Sequence, residues 1–381
     1  MLLNIQDYRR QAQRKLPRFV FDYIDGGAED EQCLHRNQRD LSRIHLLPTC
    51  LRDVQVIDTT VEIFGRRWQT PFAIAPIGLC GLVRPGGDAM MAQAAAAAGI
   101  PFILSTASNT RIEDVRQAQA PWLQWMQLYV MSERSIAEQI VRRAKAAEFG
   151  ALVLTVDVPV SGARERDGRN HFKLPFRPTP GTALNILRHP GWLWRLLRQG
   201  SPNFVNMSEN NSAVSAQAQA ALLAREMDRS FDWESLRWLR RLWDGPLLLK
   251  GLLHPNDARR ALNHGVDAVI VSNHGGRQLD AAPSSIAALP GIVDAVAGRM
   301  PVFVDGGFRR GSDMTKALAL GASAVLLGRP PVYGLASNGQ QGTAAVLDLL
   351  RGELERCMTL LGAASIGDIG RHHLMNVPPQ S

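Results

Sequence analysis

Residues 272–280 read Ser-Asn-His-Gly-Gly-Arg-Gln-Leu-Asp. His274 can accept a proton near neutral pH, and Arg277 offers a planar fork of N–H donors that matches a carboxylate. Gly275 and Gly276 between them let the backbone turn sharply or approach a ligand closely. A base beside such a clamp suits a substrate whose carboxylate neighbours an acidic C–H or O–H. A solvated turn with an incidental histidine would read the same way in isolation, so the meaning of the stretch rests on what positions it. Just ahead lies Asp-Ala-Val-Ile-Val at 267–271, short and β-branched enough to be a buried strand, and the polar residues begin where that strand would end.

That strand is one of eight. Short apolar runs occur at 71–76, 101–104, 123–130, 151–157, 247–250, 268–272, 302–305 and 324–328, with segments of helical period between several of them, such as 87–98, 132–149, 257–265 and 311–321. Strand and helix alternating through eight units predict an α/β fold, a parallel (β/α)8 TIM barrel, in one domain of 381 residues. A doubly wound open sheet is the alternative, but no strand is followed by GxGxxG and no Walker lysine loop occurs. The barrel would occupy 71–360, behind an N-terminal helical extension at 1–70. That extension opens with an amphipathic helix over 4–24, on which Ile5, Tyr8, Ala12, Leu16, Phe19, Val20 and Tyr23 share a face, and Asp25-Gly26-Gly27 ends it.

In such a barrel all strand ends open on one mouth. Strand one leads to Ile77 and Gly78, strand two to Ser105, strand three carries Gln127 and Tyr129, and strand four carries Thr155 and Asp157. Strand five ends in Lys250, strand six in Ser272, His274 and Arg277, strand seven in Asp305, Gly306, Gly307 and Arg309, and strand eight in Gly328 and Arg329. Packing alone would not put a hydrogen-bonding or charged group at nearly every strand end. The glycine-arginine ends of strands seven and eight predict a phosphate held by uncovered backbone N–H groups. Lys250 would face a group that becomes anionic, as the N1–C2=O edge of a reduced isoalloxazine does. Gln127, Thr155 and Ser105 could bond the heterocycle's amide-like edge, and Gly78 leaves room for a flat ring. The ligand so described is flavin mononucleotide.

The remaining composition narrows the setting. A 45% hydrophobic content is that of a globular protein with a large core. The net charge of +8 fits an anionic substrate, an acidic membrane surface or nucleic acid, but no nucleic-acid-binding motif is present. Cys33, Cys50, Cys80 and Cys357 are scattered with no CxxC pair, which predicts no metal site, no disulfide framework and a reducing, cytoplasmic setting. The polar N-terminus does not read as a signal peptide, and no apolar run is long enough to span a bilayer.

With those motifs in place, the chain resembles the FMN-dependent (S)-2-hydroxy acid oxidising family from Tyr8 to Gly362. The nine residues at 272–280 carry its signature, and Asp-Gly-Gly-Phe-Arg-Arg-Gly at 305–311 resembles its phosphate loop. The resemblance implies that His274 is the catalytic base, that Asp157 steadies its imidazolium form, and that Arg277 and Arg164 grip the substrate carboxylate. It implies that Tyr23 and Tyr129 contact carboxylate and hydroxyl oxygens, and that Lys250 stabilises anionic reduced flavin. His274 would remove either the α-proton, giving a carbanion, or the hydroxyl proton as hydride leaves the carbon. Leu-Ser-Thr-Ala-Ser-Asn at 104–109, Arg-Glu-Arg-Asp at 164–167 and 231–240 are most similar to the branch acting on mandelate and lactate. Ala107 stands where glycolate-oxidising members have tryptophan, leaving space for a bulkier side group, and relatives imply a homotetramer.

The electron exit is read from about ninety residues between strands four and five, far more than one barrel connection needs. Within this insert, centred on about 175–215, residues 183–200 interleave Trp192, Leu193, Trp194, Leu196 and Leu197 with Arg195 and Arg198. That pattern predicts an interfacial anchor, hence peripheral attachment to the cytoplasmic membrane and a quinone acceptor. An active-site lid or an oligomer contact is the plainer reading of the same residues. A soluble oxidase producing hydrogen peroxide is the alternative function.

Overall fold

A computed structural model of the 381-residue chain describes residues 1–115, 120–172, 179–199, 204–207 and 227–375. The N-terminal extension begins with α1 (Ile5–Lys15), α2 (Arg18–Asp25) and α3 (Gln32–Arg43). The single helix expected over 4–24 is therefore two. Leu16 is extended (φ −107°, ψ 143°) because the residue before a proline is pushed out of the helical region, and Pro17 has no N–H with which to continue. The Asn4 side chain caps α1 by accepting from the Asp7 N–H. Ile5, Tyr8 and Ala12 bury the inner face of α1 in the main core, whereas α2 buries Phe19, Val20, Phe21 and Ile24.

Next in the chain come two strands that the apolar runs do not announce. β1 (Val61–Ile63) and β2 (Arg66–Trp68) form an antiparallel hairpin whose two-residue turn, Phe64-Gly65, has positive φ at both positions (52° and 66°). Trp68 is buried among ring systems at the starts of barrel strands, 5.4 Å from Trp125 and 6.0 Å from Phe303 between centroids. The hairpin thus stoppers the N-terminal end of the barrel.

The barrel strands are β3 (Phe72–Ile74), β4 (Phe102–Leu104), β5 (Gln124–Leu128), β6 (Ala151–Thr155), β7 (Leu247–Leu252), β8 (Ala268–Val271), β9 (Val302–Asp305) and β10 (Ala324–Leu327). Each pairs in parallel with the next, and β10 closes on β3 through Val325–Phe72, Leu326–Ala73 and Leu327–Ile74. All of their residues but Gly251 are buried, which is why they read as unbroken apolar runs instead of alternating ones. The inner layer mixes small and large side chains (Ala73, Ala151, Ala268 and Ala324 against Trp125, Leu248 and Phe303) and so fills the barrel.

Two irregularities bear on the mouth. β7 runs past its expected end, and its register shifts between Lys250 and Leu252 at Gly251 (φ 109°); a Cβ on Gly251 would come within 2.6 Å of the Asp157 side chain. Only glycine lets Asp157 sit that close. After β10 a long helix, Arg329–Leu361, begins at once and is kinked at Asn338 and Gly339. Of the insert, 179–199 and 204–207 are described; helices Pro180–Leu187 and Pro190–Gln199 lie there, and the rest of the expected 175–215 span, with Gly200, lies outside the described residues. Among the described residues no helix is long and apolar enough to cross a membrane.

Candidate active site

A cavity of about 530 Å³ opens at the C-terminal ends of the strands, where Tyr23 of α2 meets the loops after β3, β4, β6, β8, β9 and β10. His274 lies in its wall with φ 58°, a left-handed conformation unusual for a side chain with a Cβ, followed by Gly275 (65°) and Gly276 (75°). The third of these must be glycine, because a Cβ on Gly276 would meet the Leu34 backbone of α3 at 2.5 Å. This bend is held by the Ser272 hydroxyl, which accepts from the His274 N–H at 3.0 Å.

The bend aims the imidazole. Its Nδ1 lies 3.0 Å from Asp157 Oδ1 and its Nε2 lies 3.4 Å from the Tyr129 hydroxyl in the cavity. With a carboxylate as partner, Nδ1 carries the proton and Nε2 presents its lone pair to the cavity. Burial alone would raise the Asp157 carboxyl, but the His274 ring and Lys250 outweigh it and hold the group below the usual carboxylate range. Its second oxygen, Oδ2, is buried without a partner.

Across the cavity, two guanidinium groups cover one ring: the Cζ of Arg277 is 5.1 Å and that of Arg164 is 5.5 Å from the centroid of Tyr23. Arg277 Nη1 donates to the carbonyls of Tyr23 (2.7 Å) and Gly26 (2.9 Å), which leaves Nε and Nη2 for a ligand. Arg164 is steadied by Asp167, 3.3 Å from its Nε. Burial, and then the like charge of Arg164, pull Arg277 down to about 10. An anion between the two would relieve that repulsion.

The floor is electrostatically distinct. Lys250 is buried, with Nζ 2.8 Å from Ser272 Oγ and 2.9 Å from Asp305 Oδ2. Burial would lower it, but Asp305 and Asp157 outweigh that and hold the ammonium above its ordinary value. A fixed cation thus faces the space bounded by Ala75, Ile77, Gly78, Ser105 and Thr155.

A flavin fits this space on three counts. A Cβ on Gly328 would meet nothing within 4 Å, so open room lies at the start of the Arg329–Leu361 helix. Pro330 and Pro331 carry no N–H, so the orphan donors of that helix end reduce to Gly328 and Arg329, directed where a phosphate would sit beside Gly306, Gly307 and Arg309. Asp305 Oδ1 is buried without a partner and is an acceptor for a ribityl hydroxyl.

Three groups make contacts other than the expected ones: Gln127 and Ser272, expected to bind the cofactor, and the side chain of Arg329, expected to add a charged donor at the phosphate. Gln127 stands behind the wall, its amide donating to Thr155 Oγ1 (3.1 Å) and accepting from Ser105 Oγ (3.2 Å), because its strand position is fully buried. Ser272 likewise serves Lys250 and the His274 bend. The side chain of Arg329 reaches away from the phosphate end, with Nε, Nη1 and Nη2 donating to the carbonyls of Ile24, Gly275 and Gly26 at 3.0, 3.0 and 2.9 Å. Together with Arg277 it stitches the end of α2 to the barrel.

The groups that anchor this arm give little signal in the sequence. Asp25 accepts from Arg9 at 2.6 and 2.7 Å, from the Tyr333 hydroxyl at 2.7 Å and from Arg166 at 3.2 Å. Burial would raise its carboxyl, but Arg9 above all pulls it down to about 2. Phe172, Phe204 and Met227, which line the substrate side, come from the insert, where no periodic signal marks them. Asp167 alone had a cue, three residues after Arg164.

The mouth thus offers room for a flat anionic cofactor over the strand ends and for a small carboxylate facing a base, the pairing expected of a flavin-dependent barrel oxidoreductase acting on a CH–OH group. Comparison with known proteins gives it a family. The chain matches the FMN-dependent dehydrogenases across residues 12–376 and belongs to that family, with FMN as its cofactor. It is 46% identical over 375 residues to (S)-mandelate dehydrogenase of Pseudomonas putida, covering 98% of this chain and 94% of that one. It is 44% identical over 366 residues to L-lactate dehydrogenase of Ectopseudomonas mendocina (strain ymp), covering 95% and 96%. A crystal structure of (S)-mandelate dehydrogenase, described as a monotopic membrane protein, superposes with a TM-score of 0.95 at 45% identity over 99% of this chain and 100% of that one.

Proposed function

We propose that this enzyme oxidises an (S)-2-hydroxy acid with a bulky, mandelate-like side group to the 2-oxo acid and delivers the electrons to a membrane quinone. The observation that carries the reading is the His274–Asp157 pair, with Nε2 turned to the cavity opposite Arg277 and Arg164. The arginines hold the carboxylate and thereby fix the Cα–H and hydroxyl against the base, a positioning effect that supplies several kcal/mol of barrier reduction. Tyr129, within reach of Nε2, bonds the hydroxyl oxygen, and Tyr23 closes the carboxylate end. His274 takes the proton at Nε2, and the buried Asp157 carboxylate stabilises the imidazolium so formed. FMN, when bound, accepts the two electrons. Lys250 holds a positive charge beside it, while Ile77, Gly78, Ser105 and Thr155 bound its ring and Asp305, Gly306, Gly307, Arg309, Gly328 and Arg329 its phosphate chain.

The side-group space supports the mandelate type. Ala107 adds no bulk beside Gly78, and Phe172, Phe204 and Met227 offer an apolar wall. The insert supports the membrane acceptor. Leu184, Leu187, Trp194 and Leu197 are exposed on its helices, and Arg198 covers the Trp194 ring at 4.5 Å. Trp192 departs from the anchor pattern: it is buried, its Nε1 donates to Leu82 O at 2.7 Å, and its ring packs edge-on to Phe19. Leu193 and Leu196 beside it are half-buried and pack against the core as well, so these three dock the anchor to the enzyme, and Trp194 and Leu197 remain for the lipid.

Anaerobic mixing of the holoenzyme with (S)-mandelate, (R)-mandelate, L-lactate and glycolate tests the chemistry. Bleaching of the flavin absorbance is expected to be fastest with (S)-mandelate, and His274→Gln is expected to retain flavin without bleaching on that timescale. Rapid bleaching of the variant would refute the base assignment, and fast oxygen uptake without added acceptor would refute the quinone.

A further inference from the structure

We propose that Lys15, Arg84 and Arg195 form a second anion site, outside the catalytic cavity, that receives the phosphate of an anionic phospholipid headgroup. The three come from separate elements. Lys15 ends α1, Arg84 follows the short helix Cys80–Val83, and Arg195 lies on the insert helix Pro190–Gln199. They converge because Trp192 of that helix is bonded to Leu82 O and packed on Phe19.

Among the described residues, none of the three has a carboxylate within ion-pair distance. The chain elsewhere pairs its arginines freely, so three mutually facing cations without a counter-charge are unusual. Burial, then repulsion from Arg195 and Arg84, lowers the Lys15 ammonium, and burial, then Arg84, lowers Arg195. Two polar atoms at the same place are buried with no partner, Arg195 Nε and Ser337 Oγ. Ser337 sits at the kink of the long helix, where its carbonyl accepts from Lys15 Nζ and the next two residues leave helical geometry. Gly339 (φ 60°) permits this kink, and a Cβ there would strike the Arg84 guanidinium at 3.0 Å. An open hollow lined by Arg84, Met90, Gln93, Asn338 and Gln341 adjoins the cluster and adds amide donors.

The cluster offers three positive charges and, at Arg195 Nε and Ser337 Oγ, two polar atoms without a partner, the complement of a phosphate monoanion. The lipid source is indicated by continuity: Arg195 belongs to the helix that exposes Trp194 and Leu197, so a headgroup held by Arg195 would have its acyl chains beside those residues. The choice of lipid therefore rests on the peripheral-membrane reading, while the anion site itself does not.

The test uses the full-length holoenzyme and flotation with vesicles of phosphatidylcholine alone or with phosphatidylglycerol added, beside thermal stabilisation by inorganic phosphate. The wild type is expected to favour the phosphatidylglycerol vesicles. Arg84→Gln with Arg195→Gln is expected to weaken that binding about tenfold or more, each basic group near an anionic surface counting for a severalfold change, with flavin content and dye reduction unchanged. Arg188→Gln with Arg198→Gln, which removes exposed arginines of the same insert, is expected to cost clearly less. Equal losses from the two pairs would show diffuse attraction and overturn the site, as would an Arg84/Arg195 variant that binds like the wild type. If the wild type binds neither vesicle, the membrane reading falls. In that event, phosphate stabilisation lost only in the Arg84/Arg195 variant would support the site with free phosphate as its ligand, and no such stabilisation would overturn it.

Discussion

Replacing Asp157 with asparagine separates the charge of the His274 partner from its shape. The amide would keep an oxygen where Oδ1 now lies 3.0 Å from Nδ1, so the ring stays oriented and the neutral base survives. What disappears is the negative charge facing the imidazolium at the moment of proton transfer. A hydrogen bond to a charged group contributes about 1.5–3 kcal/mol, and each 1.36 kcal/mol is tenfold in rate, so flavin reduction should slow roughly 10- to 150-fold. Lys250 loses one of its two carboxylates but keeps Asp305 at 2.9 Å, so flavin should remain bound. Anaerobic stopped-flow with saturating (S)-mandelate reads the reduction rate, and binding of the 2-oxo product reads affinity, which should change little. Because Asp157 in the wild type is held below the usual carboxylate range, it stays ionised through neutral pH and the rate ratio should be flat there. A variant within about threefold of wild type, with flavin retained, would refute the role assigned to this carboxylate.

Asp25, at about 2 in the folded chain against an ordinary 3.8, contributes roughly 2 kcal/mol to stability. A depressed carboxyl stabilises above its ordinary value and ceases to as pH falls towards 2, so Asp25→Asn should lower the denaturant midpoint at pH 7 and the gap should close on acidification. Ala107→Trp should fill the side-group space beside Gly78 and cut kcat/KM for mandelate by about 10- to 100-fold, with a smaller loss for glycolate, as steady-state rates with a dye acceptor would show. Trp194→Ser with Leu197→Ser removes two exposed apolar side chains that each gain about 1.5–3 kcal/mol on burial, so vesicle flotation should fall a hundredfold or more while Trp192 keeps the insert docked.

The eight strands and their polar ends were legible because a strand buried on both faces is a short continuous apolar run, and the residues just past its end stand, by geometry, at the mouth. His274, Arg277, Asp157 and Lys250 are therefore where their spacing put them. The break at Leu16-Pro17 was legible too, yet the apolar period across it read as one helix. β1 and β2 escaped because three-residue strands carrying Arg66 and Arg67 show no run at all. The direction of a side chain was the least legible property. Nothing local distinguishes an arginine aimed at a phosphate from Arg329, which gathers three carbonyls, or a membrane tryptophan from Trp192, which turns inward to Leu82. Such choices are made by segments distant in the chain, as Arg9 and Arg166 show by meeting at Asp25.

Trp68 and its hairpin leave the barrel a blind vessel with one rim. On the proposed function, reductant arrives, keto acid departs and the quinone approaches by that same rim, beside the insert that is read as touching the lipid. With one doorway for both, the catalyst would alternate between a charged and a discharged form, its two half-cycles joined only by the electrons left behind.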